Sequence, residues 1–236
     1  MANLRTIEAE VSYPGKTCTL KAFTARPAAE VGARPALIVV HEWWGLDEHI
    51  QGVTRRFAAE GYFAVAPDLY SRQGHKVTID PNVAGELMGG LAMADGIDDL
   101  LSTIRWVKAQ PAANGARIGV TGFCMGGSYA ALLPCVSAEI KAAAPFYGEI
   151  PADSELAKLA CPMFYAYGEN DGWIQRADVD RLAATLQRLG KPGEVKVYPG
   201  CSHGFFNDSR ADIYSAADAH DAWSRMNKLF AATLKG

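Results

Sequence analysis

Short runs of apolar residues recur along the chain, separated by longer stretches with helical periodicity. Such runs are typical of strands that are buried on both faces of a parallel sheet. They lie at residues 36–40, 63–66, 118–120, 142–146, 163–166 and 195–198. Between them, apolar residues at three- and four-residue steps predict helices. These helical patterns cover residues 49–60, 86–110, 126–137, 176–190 and 214–234.

The amino-terminal segment has a different pattern, because polar and apolar residues loosely alternate there. Residues 11–13 and 17–23 flank Pro14 and Gly15, which predicts an antiparallel hairpin. Strands that alternate with helices predict βαβ units, so we expect an α/β fold with a mainly parallel central sheet flanked by helices. No internal repeat or break in composition marks a second domain, and one domain is expected over residues 1–236. Residues 71–86 predict a long loop, lying either over the carboxyl ends of the strands, where such sheets bind ligands, or elsewhere on the surface.

Composition narrows the class of protein. The chain has 236 residues, of which 49% are hydrophobic and 21% charged, with a formal net charge of −3. No basic stripe is present that would neutralise phosphates, so no nucleic-acid partner is expected. No run of apolar residues is long enough to span a membrane, and the amino terminus lacks a hydrophobic signal region. We therefore expect a cytoplasmic protein, taken to be a monomer or small homo-oligomer.

The five cysteines have wide, irregular spacings that fit neither a disulfide framework nor a zinc site. No metal site is therefore expected. Cys18, Cys135 and Cys161 lie in apolar stretches and are predicted to pack as small hydrophobic residues. Cys124 and Cys201 lie beside motifs that carry chemistry.

Residues 122–127 read GFCMGG between a predicted strand and a predicted helix. In α/β-hydrolases a G-x-S-x-G sequence in this place forms a strained turn that exposes the nucleophilic serine. Here Cys124 occupies the serine position. Taken alone, the motif leaves open whether Cys124 is a nucleophile or a buried apolar residue.

Two later segments supply partners in the order that the hydrolase fold requires, nucleophile, acid and then histidine. Asp171 follows the run at 163–166 in the segment GENDGW, and His203 follows the run at 195–198 in PGCSHGF. Separately, Asp171 could cap a turn and His203 could be an ordinary loop residue. Together with Cys124 they predict a catalytic triad, in which His203 accepts the thiol proton and Asp171 orients the imidazole.

A thiolate that attacks a carbonyl group also needs N–H donors for the oxyanion. We expect these from the main chain of Met125 and of Trp43, which lies in the segment HEWWG. Glu42 in that segment either faces Cys124 and influences protonation of the thiol, or is a capping or surface charge. Aromatic residues predict an apolar pocket, although core packing explains several of them equally well. The residues expected to contact substrate are Trp43, Phe123, Tyr147, Trp173, Phe205 and Asn207.

Five segments in one order resemble the dienelactone hydrolases, also called carboxymethylenebutenolidases: HEWWGLDEHI, GYFAVAPDLY, GFCMGG, GENDGW and SHGFF. The resemblance covers nearly the whole chain. It implies a single-domain, cofactor-free α/β-hydrolase that cleaves small esters or lactones through a thioester acyl-enzyme. It also implies that Cys124, His203 and Asp171 form the triad, and that Glu42 interacts with the resting thiol.

The sequence departs from that family at two cationic positions. The best-known members place a substrate-binding arginine four residues after the histidine, where this chain has Asn207, and another in the segment corresponding to 76–92, which here has none. Weaker recognition of anionic lactones is expected.

Two alternative functions remain. A cysteine amidohydrolase would carry a carboxylate where Phe205 stands, and a thiol redox sensor or non-catalytic interaction module could use Cys201 as a resolving thiol.

Overall fold

The computed structural model describes residues 5–28 and 32–236, which contain eight strands and seven α-helices. The chain forms two compact units. One unit ends at Gly119, and the other runs from Val120 to Gly236. Each contains strands and helices that the apolar runs and helical patterns predict.

The first unit begins with a hairpin and continues with alternating helices and strands. Its strands are β1 (Thr6–Pro14), β2 (Thr19–Pro27), β3 (Arg34–Val40) and β4 (Phe63–Pro67). Its helices are α1 (Glu48–Ala59), α2 (Pro81–Gly89) and α3 (Met93–Lys108). β1 pairs antiparallel with β2, which confirms the predicted hairpin, and β2 pairs antiparallel with β4. β3 and β4 are parallel, as their continuous apolar runs predict.

The prediction of a single helix over residues 86–110 is wrong, because two separate helices, α2 and α3, occupy this region. α2 begins inside the predicted loop, where Asp80 accepts a hydrogen bond from the main-chain N–H of Asn82 and Pro81 occupies the first helical position. It ends at Gly89 and Gly90, since two consecutive glycines favour a break in the helix. The predicted loop at 71–86 therefore also contains a short 3-10 turn, Ser71–Gln73, and the start of α2.

The second unit is built around parallel strands. Its elements are α4 (Met125–Val136), β6 (Ile140–Phe146), α5 (Asp153–Leu156), β7 (Met163–Asn170), α6 (Arg176–Arg188), β8 (Gly193–Ser202) and α7 (Ala216–Phe230). The preceding strand, β5 (Ala113–Phe123), contains the boundary between the units. β6 is parallel to β7, and β7 is parallel to β8. Their carboxyl ends therefore lie at one edge, and the residues that follow them are brought together.

Burial agrees with the apolar runs. Ala142, Ala143 and Ala144 in β6 are fully buried, as are Tyr165 and Ala166 in β7. No helix within residues 5–28 and 32–236 is both long enough and apolar enough to cross a membrane.

Candidate active site

Cys124 lies at a sharp turn between the end of β5 and the start of α4. Its backbone has φ 55° and ψ −121°, a conformation that residues other than glycine rarely adopt. The Cys124 N–H donates to the carbonyl oxygen of Phe146 at 3.1 Å, and the Ser128 N–H donates to the Cys124 carbonyl at 3.2 Å. The strained strand-to-helix turn has the geometry of the turn that carries the nucleophile in α/β-hydrolases. Such a position favours the thiolate form of cysteine.

Two glycines allow the end of β6 to lie directly against the first turn of α4. A Cβ atom on Gly148 would collide with the main chain of Gly127 and Ser128. A Cβ atom on Gly127 would collide with the carbonyl oxygen of Phe146. The Ser128 hydroxyl oxygen also accepts a hydrogen bond from the Glu149 N–H at 2.8 Å. The turn that carries Cys124 is therefore held by main-chain contacts that leave no room for side chains.

The register of β7 and β8 brings the predicted acid and base together. Asn170 is paired with Ser202 at the carboxyl ends of β7 and β8. Asp171 and His203 are the residues that directly follow this pair. The Nδ1 atom of His203 lies 2.8 Å from Oδ2 of Asp171. The Asp171 side chain is fully buried, whereas the His203 side chain retains 26% of its exposure.

The second oxygen of Asp171 fixes the loop that follows β7. Oδ1 accepts hydrogen bonds from the N–H groups of Trp173 at 2.8 Å and Ile174 at 2.9 Å. The turn-capping role considered for Asp171 and its pairing with His203 thus occur in one carboxylate. The contribution of Ile174 could not be read from the sequence, because any residue supplies the same N–H group.

The Asp171 contact determines the tautomer of His203. An ionised carboxylate can only accept hydrogen bonds, so Nδ1 of His203 must carry a proton and donate it to Oδ2. In the neutral imidazole, Nε2 is then the unprotonated nitrogen. His203 is thereby prepared to accept a proton at Nε2, which is the requirement for a general base.

Two aromatic rings contact the imidazole of His203. The rings of Tyr147 and Trp173 contact it in edge-on geometry, with centroid distances of 5.0 Å and 5.3 Å. Tyr147 also packs against Phe205, and Phe123 stacks on Phe206 at 5.0 Å.

Most of the residues predicted to contact substrate are buried. Phe123, Tyr147 and Phe205 have no exposed surface, and Asn207 is 1% exposed. The side-chain Oδ1 of Asn207 accepts hydrogen bonds from the N–H and the hydroxyl of Ser209, which closes a local turn. Core packing and turn formation therefore account for these side chains. Their role as substrate contacts stays a prediction, as does that of the half-buried Trp173.

The segment after β3 carries the other predicted site residues. Glu42 is buried, with 4% of its surface exposed, and Trp43 is half-buried. The Trp43 carbonyl accepts a hydrogen bond from the Tyr70 hydroxyl at 3.0 Å. His41 anchors the same segment, because its Nε2 accepts from the Leu69 N–H at 3.0 Å and its Nδ1 lies 2.6 Å from the Glu42 carbonyl oxygen. The roles assigned to Glu42 and Trp43 stay predictions.

All five cysteines are free thiols. Burial is the largest cause that raises the pKa of Cys135 to about 11 and that of Cys161 to about 12. Cys201 is 6% exposed, and burial and the hydrogen bond of its thiol to Asp218 raise its pKa to about 11. A protonated, buried thiol reacts poorly, which argues against Cys201 as a resolving thiol. Cys18, predicted to be structural, is only partly buried, and burial raises its pKa as well.

The described residues, 5–28 and 32–236, contain no group of three or more histidine, cysteine, aspartate or glutamate side chains that could hold a metal ion.

Comparison with known proteins gives a match across most of the chain. Residues 20–234 match the model of the "Dienelactone hydrolase family". A protein of Methylorubrum extorquens named "Putative carboxymethylenebutenolidase" is 35% identical over 236 residues, which cover 95% of this chain and 80% of that protein.

Solved structures show the same architecture. A crystal structure from Klebsiella pneumoniae, named "Putative Dienelactone Hydrolase", has a TM-score of 0.89 and 32% sequence identity, and the match covers 96% of this chain and 99% of that one. The "Dienelactone Hydrolase-like Promiscuous Phospotriesterase P91" from metagenomic libraries has a TM-score of 0.88 at 20% identity, covers 97% and 98% of the two chains, and shows similarity of fold alone. The predicted α/β-hydrolase fold is confirmed.

Proposed function

Because this chain belongs to the dienelactone hydrolase family, we propose that it hydrolyses small carboxylic esters or lactones through a Cys124–His203–Asp171 triad. One observation carries the assignment of residues. Nδ1 of His203 lies 2.8 Å from Oδ2 of Asp171, a contact that favours the tautomer with Nε2 unprotonated, within the same compact unit as the strained turn at Cys124. The proposal treats residues 1–236 as one catalytic domain, in keeping with the family match over residues 20–234.

Acylation begins when Nε2 of His203 takes the thiol proton of Cys124, and the thiolate sulfur attacks the carbonyl carbon of the ester. The carbon–sulfur bond forms while the carbonyl π electrons move to oxygen. When this tetrahedral intermediate collapses, the bond to the alkoxy group breaks, and the leaving oxygen takes the proton from His203. Asp171 stays ionised throughout and stabilises the imidazolium.

Deacylation repeats these steps with water. Nε2 of His203 takes a proton from water as the water oxygen attacks the thioester carbonyl. Collapse of the second tetrahedral intermediate breaks the carbon–sulfur bond, and the thiolate leaves with the electron pair and regains its proton from His203. The sum is one ester and one water converted to one carboxylic acid and one alcohol. From a lactone, both groups remain in one molecule.

Met125 supplies an oxyanion donor in this proposal. It is the first residue of α4, where main-chain N–H groups point out of the amino end of the helix. The second donor is assigned to the Trp43 N–H, and Glu42 is assigned to control protonation of the Cys124 thiol. The assignment of Trp43 follows from its place in the segment after β3, and that of Glu42 follows the family resemblance.

The missing arginines bear on the substrate. Residue 207 is asparagine, and no arginine occurs between Arg72 and Arg105. The side-chain Oδ1 of Asn207 accepts hydrogen bonds from Ser209, and its amide group is neutral, so it offers a substrate carboxylate no positive charge. We therefore propose that neutral esters and lactones are preferred over lactones that carry a free carboxylate.

Turnover of small esters tests the proposal directly. Purified protein is assayed with p-nitrophenyl acetate and with paired enol lactones that differ only in a carboxylate. The Cys124→Ala variant should lose turnover, while Cys201→Ala, which also removes a buried thiol, should keep it. Mass spectrometry of the quenched reaction should show an acyl group on Cys124. Equal rates for wild type and Cys124→Ala on every ester would refute the mechanism, and faster turnover of the anionic lactones would refute the substrate preference.

A further inference from the structure

Tyr147 has an unusual backbone for a large side chain. It follows β6 with φ 39°, in the left-handed region that favours glycine, and its side chain is fully buried. Within residues 5–28 and 32–236, the other non-glycine residues with positive φ are His75 and Cys124. The strained conformation is held in place, because the Tyr147 N–H donates to the carbonyl oxygen of Ala166 in β7 at 2.8 Å. Strain that the surrounding structure maintains in this way often marks a functional position.

The residues on either side of Tyr147 are fixed to the nucleophile turn and to β7. The carbonyl oxygen of Phe146 accepts the hydrogen bond from the Cys124 N–H at 3.1 Å. The carbonyl oxygen of Gly148 accepts one from the Tyr165 hydroxyl at 2.6 Å. The main chain on both sides of Tyr147 is therefore fixed, and the Phe146 side of it holds the Cys124 turn.

The side chain of Tyr147 lies against His203, the proposed catalytic base. The Tyr147 and His203 rings meet edge-on, with centroids 5.0 Å apart and planes inclined by 64°. The hydrogen bond between His203 and Asp171 fixes the position of Nδ1, but it does not fix the plane of the imidazole ring, which can still rotate about that bond. Contacts with flat side chains restrict this rotation, and Trp173 provides a second such contact at 5.3 Å.

We infer that Tyr147 is a positioning residue, whose ring sets the plane of the His203 imidazole while its neighbour Phe146 sets the place of Cys124. The inference rests on the proposed function and goes beyond it by making Tyr147 the connection between nucleophile and base. It also explains why a tyrosine stands where glycine would relieve the strain. Because Tyr147 has no exposed surface, contact with substrate is not needed to explain it.

Kinetics of two variants test the role of the ring. Tyr147→Leu removes the ring, and about 10- to 100-fold loss of kcat is expected, with KM nearly unchanged, because small misplacements of catalytic groups slow the reaction by such factors. Tyr147→Phe keeps the ring and should restore kcat to within about threefold of wild type. Tyr198→Leu is the matched control, since Tyr198 is also buried and contacts Phe205, and its kcat should stay at the wild-type level.

Alkylation of Cys124 by iodoacetamide gives a readout that needs no ester. The pKa of every other thiol is raised by burial, so modification followed by peptide mass spectrometry reports on Cys124. In Tyr147→Leu the rate should fall about tenfold near neutral pH and approach wild type above about pH 9, where a thiol ionises without help from a histidine. If Tyr147→Leu does not fold, Tyr147→Gly takes its place, because glycine adopts the left-handed backbone without strain.

The outcomes separate the two proposals. Wild-type protein that hydrolyses no ester but shows the expected alkylation profile refutes the hydrolase function and leaves the role of Tyr147 standing. Ester hydrolysis by Tyr147→Leu at the wild-type rate refutes the positioning role alone. Equal losses in Tyr147→Phe and Tyr147→Leu would also refute it, because the hydroxyl group rather than the ring would then be responsible.

Discussion

Replacing Asp171 with asparagine separates the two tasks of this carboxylate. The asparagine carbonyl oxygen can still accept the N–H groups of Trp173 and Ile174, which hold the loop after β7. Its NH₂ group would face Nδ1 of His203 and could only donate. Nδ1 would then become the acceptor, and the proton would move to Nε2. In this tautomer His203 cannot take the thiol proton of Cys124.

The magnitudes of the two effects differ. In Ser-His-Asp triads the same change lowers kcat about 10⁴-fold, which corresponds to about 5 kcal/mol of activation free energy. We expect a loss of similar order for Asp171→Asn. The free energy of unfolding should change by only about 1–2 kcal/mol, because the hydrogen bonds to the main chain are kept and one charge-assisted bond is weakened.

Steady-state hydrolysis of a small ester and urea unfolding measure the two quantities on the same protein. Glu169→Gln is the matched control, because this exposed neighbouring carboxylate accepts a hydrogen bond from the Gly200 N–H in β8 and lies outside the proposed triad. Its kcat should not change. A folded Asp171→Asn protein with kcat within about tenfold of wild type would refute the tautomer argument.

Three further predictions follow from buried groups. Gly148→Ala should destabilise the protein by about 3 kcal/mol or more in urea unfolding, since its Cβ meets main chain, whereas Gly172→Ala, beside the triad but in open space, should be nearly neutral. Burial lowers the pKa of His41 below 6.5, so below that pH the unfolded chain binds a proton that the native state does not, and the free energy of unfolding falls. Between about pH 7.5 and pH 5.5 this loss should be smaller in His41→Gln than in wild type. Iodoacetamide at about pH 8 should leave the Cys201 peptide of the native protein unmodified, because its pKa is raised to about 11.

The contact between Asp171 and His203 can be expected from the sequence because the physical rule behind it is simple. Asp171 and His203 each follow an apolar run, and parallel strands end at a common edge. The pairing of Asn170 with Ser202 that completes the contact depends on an irregularity of register between Gly168 and Asn170, which no residue pattern shows.

Other features could not be predicted because they depend on contacts between distant residues. The aromatic residues illustrate this limit, since composition does not distinguish a ring that lines a pocket from one that supports it. Phe123 and Tyr147 are fully buried beside the site. The left-handed backbone of Tyr147 has no local signal, because glycine, the usual residue for it, stands one position later. The break between α2 and α3 was signalled by Gly89 and Gly90, but the apolar periodicity continues across it.

The contact of Gly127 with Gly148 limits how the chain can vary. A clash between two side chains can be relieved by making the partner smaller, so such positions tolerate compensating changes. Here the obstructing atoms belong to the main chain, which every amino acid shares. No second substitution at the other position can therefore restore the space lost at the first. The two sites, 21 residues apart, each demand glycine independently, and a redesign of the residues around Cys124 must leave both untouched.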